Sequence, residues 1–246
     1  MKKPYMALAM MEMPRMFMEL GSLMLSAPWL RNLPKGDGHA VMIIPGFLGN
    51  DRLNHSLVKY LKHLGYSAAG WEMGRNLGPD HFSVDELKER VTNLANTGDG
   101  TISLIGHSLG GLYAREIARM QPYNVRQVIS LGSPFGKGSE QGSNARGMFN
   151  RVNPGINQHS LFNDGHNELA QAPPVPTTSI YTKSDGVVNW RTNIQLPNHP
   201  NVQNIEVFGS HSGLSLNPAV WYLLANRLQH TRDNWQPFKS NLFNHH

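Results

Sequence analysis

Residues 101–111 read Thr-Ile-Ser-Leu-Ile-Gly-His-Ser-Leu-Gly-Gly, and this stretch decides the fold. An apolar run typical of a buried strand ends at Gly106, and a helical pattern begins directly after Ser108. Gly-x-Ser-x-Gly between a strand and a helix is the pattern of a nucleophile elbow, a sharp turn that lifts a serine hydroxyl above a sheet. Because glycine has no Cβ, the glycines let the strand and the helix approach closely. The alternative interpretation is a tight strand–helix turn with an incidental serine.

The composition indicates a globular protein without disulfides. The 246-residue chain is 39% hydrophobic and 16% charged, so it is long and apolar enough for one α/β domain with a sizeable core. The absence of cysteine excludes disulfides and thiolate chemistry. The net charge of +5 comes from scattered basic residues, which predicts no nucleic-acid partner. Near-matches to phosphate-binding loops fail on spacing, and we expect neither a cofactor nor a metal.

Strand and helix patterns alternate from residue 39 onward, which predicts a mostly parallel sheet flanked by helices. The predicted strands cover residues 40–44, 66–71, 101–106, 125–131, 178–182 and 202–208. Residues from about 133 to 175 are rich in glycine, asparagine and serine with little periodicity, and we interpret them as a small lid-like insertion. No linker or internal repeat interrupts the chain, so residues 1–246 are expected to form a single domain.

Residues 1–38 are predicted to form a methionine-rich helical extension. Apolar side chains recur there at spacings of three and four, as on one face of an amphipathic helix: Met6, Met10, Met13, Phe17, Leu20 and Met24. Pro14 is expected to bend or break this helix. Three interpretations are open: a helix packed on the domain or over its acyl-binding mouth, a helix on a membrane surface, or an atypical export signal. We expect the first, in a cytoplasmic protein.

Ser108 needs a base and an orienting acid, because an alcohol is a weak nucleophile at neutral pH. In open α/β sheets such groups follow the carboxyl ends of strands. Asp185 and His211 follow the last two predicted strands in the chain order serine, aspartate, histidine. The small residues at 209–213 are expected to leave room for the imidazole. His107, beside the nucleophile, is expected to pack next to the sheet or to contact substrate.

The oxyanion hole is predicted from position in the chain. One donor is the backbone N–H of Leu109, and the other comes from the loop after the first strand. Phe47 is the candidate there, and Leu48 is the alternative. Apolar side chains expected around the acyl group are those of Phe47, Leu48, Phe135, Met148 and Phe149. His159, His166 and Asp164 belong to the insertion, where the two histidines would at most line a substrate cleft.

By these motifs the chain resembles the α/β-hydrolase superfamily, in particular its lipase and esterase branch. The resemblance covers residues from about 39 to 229 and rests on the stretches at 45–49, 106–111, 131–134, 184–188 and 211–214. It implies a catalytic triad of Ser108, Asp185 and His211, with oxyanion donors at Phe47 and Leu109. The implied activity is hydrolysis of small-molecule or lipid carboxylic esters through an acyl-enzyme. A thioesterase or acyltransferase with the same triad, or a non-catalytic binding module, are the alternatives, and the oligomeric state is left open.

Overall fold

The structure is a computed structural model that describes residues 2–136, 142–155, 170–196, 198, 200–239 and 244–245. Its strands are β1 (Ala40–Ile44), β2 (Ser67–Gly70), β3 (Ile102–His107), β4 (Val125–Leu131), β5 (Thr177–Tyr181), β6 (Val202–Glu206) and β7 (Asn244–His245). The first six pair in parallel in the order β2-β1-β3-β4-β5-β6, and the short β7 pairs antiparallel with β6. The mostly parallel sheet and the six predicted strands are confirmed, with bounds that shift by at most two residues.

Helices cover both faces of this sheet. They are α1 (Met6–Met10), α2 (Glu12–Leu30), α3 (Asp51–His63), α4 (Val84–Ala95), α5 (Leu109–Met120), α6 (Arg146–Val152) and α7 (Pro218–Leu228). Successive side chains of a strand point to opposite faces, so the sheet has two cores. Val41 and Ile43 pack with α2, α3 and α7, whereas Met42 and Ile44 pack with α4 and α5. Coverage on both faces explains why a central strand such as β1 is continuously apolar.

The N-terminal extension is helical, but it packs on the domain through the face opposite to the predicted one. Most of the predicted apolar face points to solvent, with Met6, Met10, Met13, Phe17 and Met24 between 54% and 75% exposed, whereas Leu20 is half-buried. The buried face carries Glu12, Glu19, Leu23 and Leu30. None of the helices within the described residues is both long and apolar enough to cross a membrane.

The predicted N-terminal helix is interrupted at Met11, between α1 and α2, three residues before Pro14. Pro14 lies in the first turn of α2 and has no N–H to donate to the carbonyl of Met10, so an interruption at this point agrees with the expected effect of Pro14. From Glu12 onward α2 continues without a break to Leu30.

The predicted insertion at about 133–175 is described only in part. Asn153 directly follows its helix α6. The side-chain amide of Asn153 donates to the carbonyl of Leu77 (2.8 Å), and its side-chain oxygen accepts from the N–H of Asp80 (3.3 Å). These bonds fix the described part of the insertion to the segment before α4. Residues 137–141 and 156–169 lie outside the described residues, and with them His159, Asp164 and His166. The lid therefore stays a prediction.

Candidate active site

Ser108 occupies a strained turn between β3 and α5. Its backbone φ of +51° lies in a region that residues other than glycine rarely adopt, and this conformation costs roughly 1–3 kcal/mol. An added Cβ at Gly106 would overlap the carbonyl oxygen of Gly110, and one at Gly110 would overlap that of Ile44. The two glycines of the motif are therefore required where the helix crosses the strands. The predicted strand, turn and helix are all present.

Asp185 and His211 form a buried hydrogen-bonded pair. They lie in the loops after β5 and β6, here named the acid loop (residues 182–189) and the base loop (residues 207–213). His211 Nδ1 and Asp185 Oδ2 are 2.6 Å apart, and Asp185 Oδ1 accepts from the N–H groups of Val187 (2.8 Å) and Val188 (2.7 Å). Because the carboxylate can only accept, Nδ1 carries the proton and Nε2 is left free to act as a base.

The groups around His211 favour its protonated form, compared with a histidine in water. Burial by itself lowers the pKa of His211, but the charge and hydrogen bond of Asp185 and the charge of Glu12 raise it more strongly. The pKa of His211 therefore lies above its ordinary value of 6.5. These surroundings therefore stabilise the imidazolium form of His211.

His107 links the elbow to the base loop. Its Nε2 lies 2.9 Å from the carbonyl oxygen of His211, so Nε2 carries the hydrogen and donates it. Burial, together with the charge of His211, lowers the pKa of His107 to about 4, so its ring is neutral at physiological pH. The residue next to Ser108 thus holds the backbone of the candidate base. Its predicted contact with substrate stays a prediction.

The loop after β1 lies directly on the elbow. An added Cβ at Gly46 would lie 3.1 Å from Cβ of Ser108. Within the part of the chain that the structure describes, the N–H groups of Phe47 and Leu109 have no protein acceptor, as oxyanion donors require. The N–H of Leu48 donates instead to the carbonyl of Asn76 (2.6 Å), which disfavours the alternative donor.

Asn76 is fully buried and holds the loop after β1 through hydrogen bonds. Its amide donates to the carbonyl of Pro45 (2.7 Å), and its side-chain oxygen accepts from the N–H of Gly78 (3.2 Å). Sequence reasoning missed Asn76, since nothing in its local pattern indicates a contact with a loop thirty residues away.

The predicted apolar residues divide into two groups. Phe47 meets Phe149 of α6 edge-on, with ring centroids 5.2 Å apart, and Leu48 and Met148 are exposed. Phe135 is instead fully buried, and the guanidinium of Arg115 lies 3.8 Å from its ring centroid. Its surroundings favour a packing role, and its contact with substrate stays a prediction.

Sequence reasoning also missed three charged residues of α2. Glu12 accepts hydrogen bonds from both the acid loop and the base loop, Arg15 donates to the carbonyl of Ser184, and Glu19 binds Ser210. The signal was available, because these are the only charges between residues 6 and 30 and their spacing puts them on one helix face.

The small residues of the base loop have a second explanation. An added Cβ at Gly213 would overlap the carboxylate of Glu19, and one at Gly209 would lie 3.0 Å from it. We expected residues 209–213 to be small to make room for the imidazole. The two glycines make room for a carboxylate from α2.

A second Ser-His-Asp array lies at the opposite end of the sheet. His39 Nδ1 lies within hydrogen-bond distance of Asp37, and His39 Nε2 lies 2.8 Å from Oγ of Ser103. Ser103 is fully buried inside β3, and no sharp turn presents it to a substrate. Arg126 also pairs with Asp37 (2.7 Å). Burial, the elbow and the chain order therefore separate the Ser108 site from this network.

The architecture and the position of the elbow are those of the α/β-hydrolase fold, which confirms the predicted fold class. The structure is similar to the monoacylglycerol lipase of Paleococcus ferrophilus, with a TM-score of 0.55 and 14% identity over 79% of this chain and 96% of that one. It is similar to mouse alpha/beta hydrolase domain-containing protein 10, with a TM-score of 0.54 and 18% identity over 78% of this chain and 88% of that one.

A third similar structure is a thioesterase domain from the curacin biosynthetic pathway, with a TM-score of 0.51 and 14% identity over 80% of this chain and 93% of that one. The sequence itself matches no protein-family model and no curated protein. At these identities the likeness is one of fold.

Proposed function

We propose that the protein is a serine hydrolase that cleaves carboxylic esters through an acyl-enzyme. The observation that carries the proposal is Ser108 on a strained elbow, joined through His107 to the buried His211–Asp185 pair. A serine in such a turn and a histidine whose Nδ1–H is held by a carboxylate are the parts that acyl transfer to serine requires.

In the proposed reaction, Oγ of Ser108 attacks the acyl carbonyl carbon while Nε2 of His211 takes the hydroxyl proton. The N–H groups of Phe47 and Leu109 stabilise the oxyanion, and Asp185 stabilises the imidazolium. The C–O bond to the alcohol then breaks, and His211 returns its proton to that oxygen. Water attacks the acyl-enzyme with the same base, which releases the acid and restores Ser108.

Two observations support an ester as substrate. The loop that carries the proposed oxyanion donor has apolar side chains at Phe47 and Leu48, and Phe149 of α6 packs on Phe47, which favours an acyl group over a sugar. The solved structures of similar fold include a monoacylglycerol lipase and a thioesterase domain. Thioesters therefore belong in the substrate panel, since the same triad serves both leaving groups.

The test is hydrolysis of p-nitrophenyl esters from acetyl to palmitoyl and of matched acyl thioesters. Ser108→Ala is compared with Ser103→Ala, which changes the serine of the second array. We expect activity in the unmodified protein and in Ser103→Ala and only background in Ser108→Ala. The ratio of the rates on matched esters and thioesters distinguishes an esterase from a thioesterase. Absence of activity on every substrate would contradict the proposal and favour a binding module.

We further propose that the outward face of α1 and α2 contacts an anionic lipid surface. Its exposed side chains include Met10, Phe17 and Met24, and the charges of α2 all point to the catalytic loops. Lys2 and Lys3 are exposed at one end of this helix pair and Arg31 at the other. An apolar face flanked by basic residues fits anionic headgroups.

The lipid contact is tested by sedimentation with phosphatidylglycerol and with phosphatidylcholine vesicles. We expect binding to phosphatidylglycerol that the triple variant Met10→Ser, Phe17→Ser, Met24→Ser loses. A matched control is Met120→Ser, which changes an exposed methionine outside this face. Equal sedimentation of the triple variant and the unmodified protein would contradict the proposal.

A further inference from the structure

Glu12 joins the two loops that carry the candidate acid and base. Its Oε1 accepts from the N–H of Gly186 (2.8 Å) and from the N–H of His211 itself (3.2 Å). Its Oε2 accepts from the N–H of Ser212 (2.8 Å). One buried carboxylate thus receives three backbone hydrogen bonds, one from the residue after Asp185 and two from His211 and its neighbour.

The rest of the helix pair reinforces this connection. Arg15 pairs with Glu12 (2.9 Å) and donates to the carbonyl of Ser184 in the acid loop (2.7 Å). An added Cβ at Gly186 would lie 2.5 Å from the backbone of Leu8, so α1 lies directly against the acid loop. The helices therefore contact both loops and connect the acid loop with the base loop, which are also joined directly by hydrogen bonds from Thr182 and Ser184 to the carbonyl of Gly209.

We propose that Glu12 is a positioning residue of the active site, which holds the acid loop and the base loop in their relative positions and stabilises the charged form of His211. The proposal rests on the proposed serine-hydrolase function, and among the charged residues of α2 it assigns this role to Glu12 alone. Glu12 does not touch the reacting atoms and acts through His211.

The charge state of Glu12 supports this role. Burial raises the pKa of Glu12, but hydrogen bonds from Ser212 and Gly186 and the charge of His211 lower it more, so the net shift is downward. Glu12 is therefore a carboxylate at neutral pH. Other ionisable groups that face Glu12 or His211 are Arg15 and Glu19 from α2, Asp185 from the acid loop and His107 from β3.

Glu19 provides a matched control on the same helix. It is also buried, and its carboxylate accepts from the N–H and the hydroxyl of Ser210 in the base loop. Burial, only partly offset by these bonds, raises the pKa of Glu19. Glu19 binds no atom of the acid loop or of His211, so its replacement tests the anchoring of α2 without the connection between the two loops.

The first experiment compares Glu12→Gln, Glu12→Asp and Glu19→Gln in the full chain, with kcat and KM for p-nitrophenyl butyrate measured across pH. For Glu12→Gln we expect kcat to fall by about 10²-fold with little change in KM, because the base is displaced relative to Ser108. The acid limb of the profile moves to lower pH, since a negative charge near His211 is lost. Glu12→Asp keeps that charge and restores the midpoint of the limb.

The second experiment measures the pKa of His211 by NMR titration of its ring, which does not depend on turnover. We expect a lower pKa in Glu12→Gln than in the unmodified protein and no change in Glu19→Gln. Urea unfolding tests whether each variant folds. If Glu12→Gln does not fold, Glu12→Asp is compared with Glu19→Asp instead. We then expect kcat to fall in Glu12→Asp and not in Glu19→Asp.

Equal kcat and equal His211 pKa in the Glu12 and Glu19 variants would overturn the proposal. Failure of the proposed function has a different signature, since the unmodified protein would then hydrolyse no ester. The NMR difference between the Glu12 and Glu19 variants would still decide whether Glu12 acts on His211.

Discussion

Replacement of Asp185 by asparagine reverses the tautomer on which the proposed base depends. Oδ1 of an asparagine still accepts from the N–H groups of Val187 and Val188, so the new side-chain NH₂ faces Nδ1 of His211. An NH₂ group can only donate, which requires Nδ1 to accept and moves the ring hydrogen to Nε2. A protonated Nε2 cannot take the proton of Ser108.

The expected loss is large in activity and small in stability. Loss of the correct tautomer lowers kcat by about 10⁴-fold, which corresponds to about 5 kcal/mol of transition-state stabilisation. Because two of the three hydrogen bonds of the side chain are kept, the free energy of unfolding falls by only about 1–2 kcal/mol.

The assay is the initial rate on p-nitrophenyl butyrate, with urea unfolding followed in parallel. Asp233→Asn is the matched control, since it makes the same chemical change at an exposed position and is expected to leave kcat unchanged. A kcat of Asp185→Asn within tenfold of that of the unmodified protein would refute the reasoning, because the carboxylate would then not set the tautomer of His211.

Three further predictions follow from the described contacts. The acid limb of kcat/KM against pH has its midpoint above 6.5, because His211 must be neutral to act as a base and its pKa is raised; a midpoint below 6 would contradict this. Gly110→Ala loses roughly 1–3 kcal/mol in urea unfolding, because its Cβ overlaps the carbonyl of Ile44, whereas Gly98→Ala, with open space, is close to neutral. Asn76→Ala loses about 2–3 kcal/mol and lowers kcat more than KM changes, since it leaves buried partners unsatisfied under the proposed oxyanion loop.

The sheet and the elbow could be predicted because their signals are local. Apolar runs bounded by turn residues define strands such as Ala40–Ile44, and the glycines around Ser108 reflect a steric requirement within a few residues. The candidate acid and base could be proposed because topology places the ends of successive parallel strands at one edge of the sheet.

The orientation of the N-terminal helices could not be predicted from apolar periodicity alone. We expected the methionine face to be buried, but backbone N–H groups of Gly186 and Ser212 lie where α2 packs, and carboxylates satisfy them while methionines do not. Those N–H groups come from segments about 170 to 200 residues away in the chain. The hydrogen bond of Leu48 could not be predicted for the same reason, because its N–H donates to the carbonyl of Asn76, which is also distant in the chain.

Covalent labelling with a fluorophosphonate, followed by identification of the modified peptide, tests the central claim most directly. The reagent reacts with a serine only where a base and an oxyanion hole activate it. We predict labelling of the unmodified protein and of Ser103→Ala on Ser108, and no labelling of Ser108→Ala. A label on another residue, or equal labelling of Ser108→Ala, would contradict the assignment of Ser108 as the nucleophile.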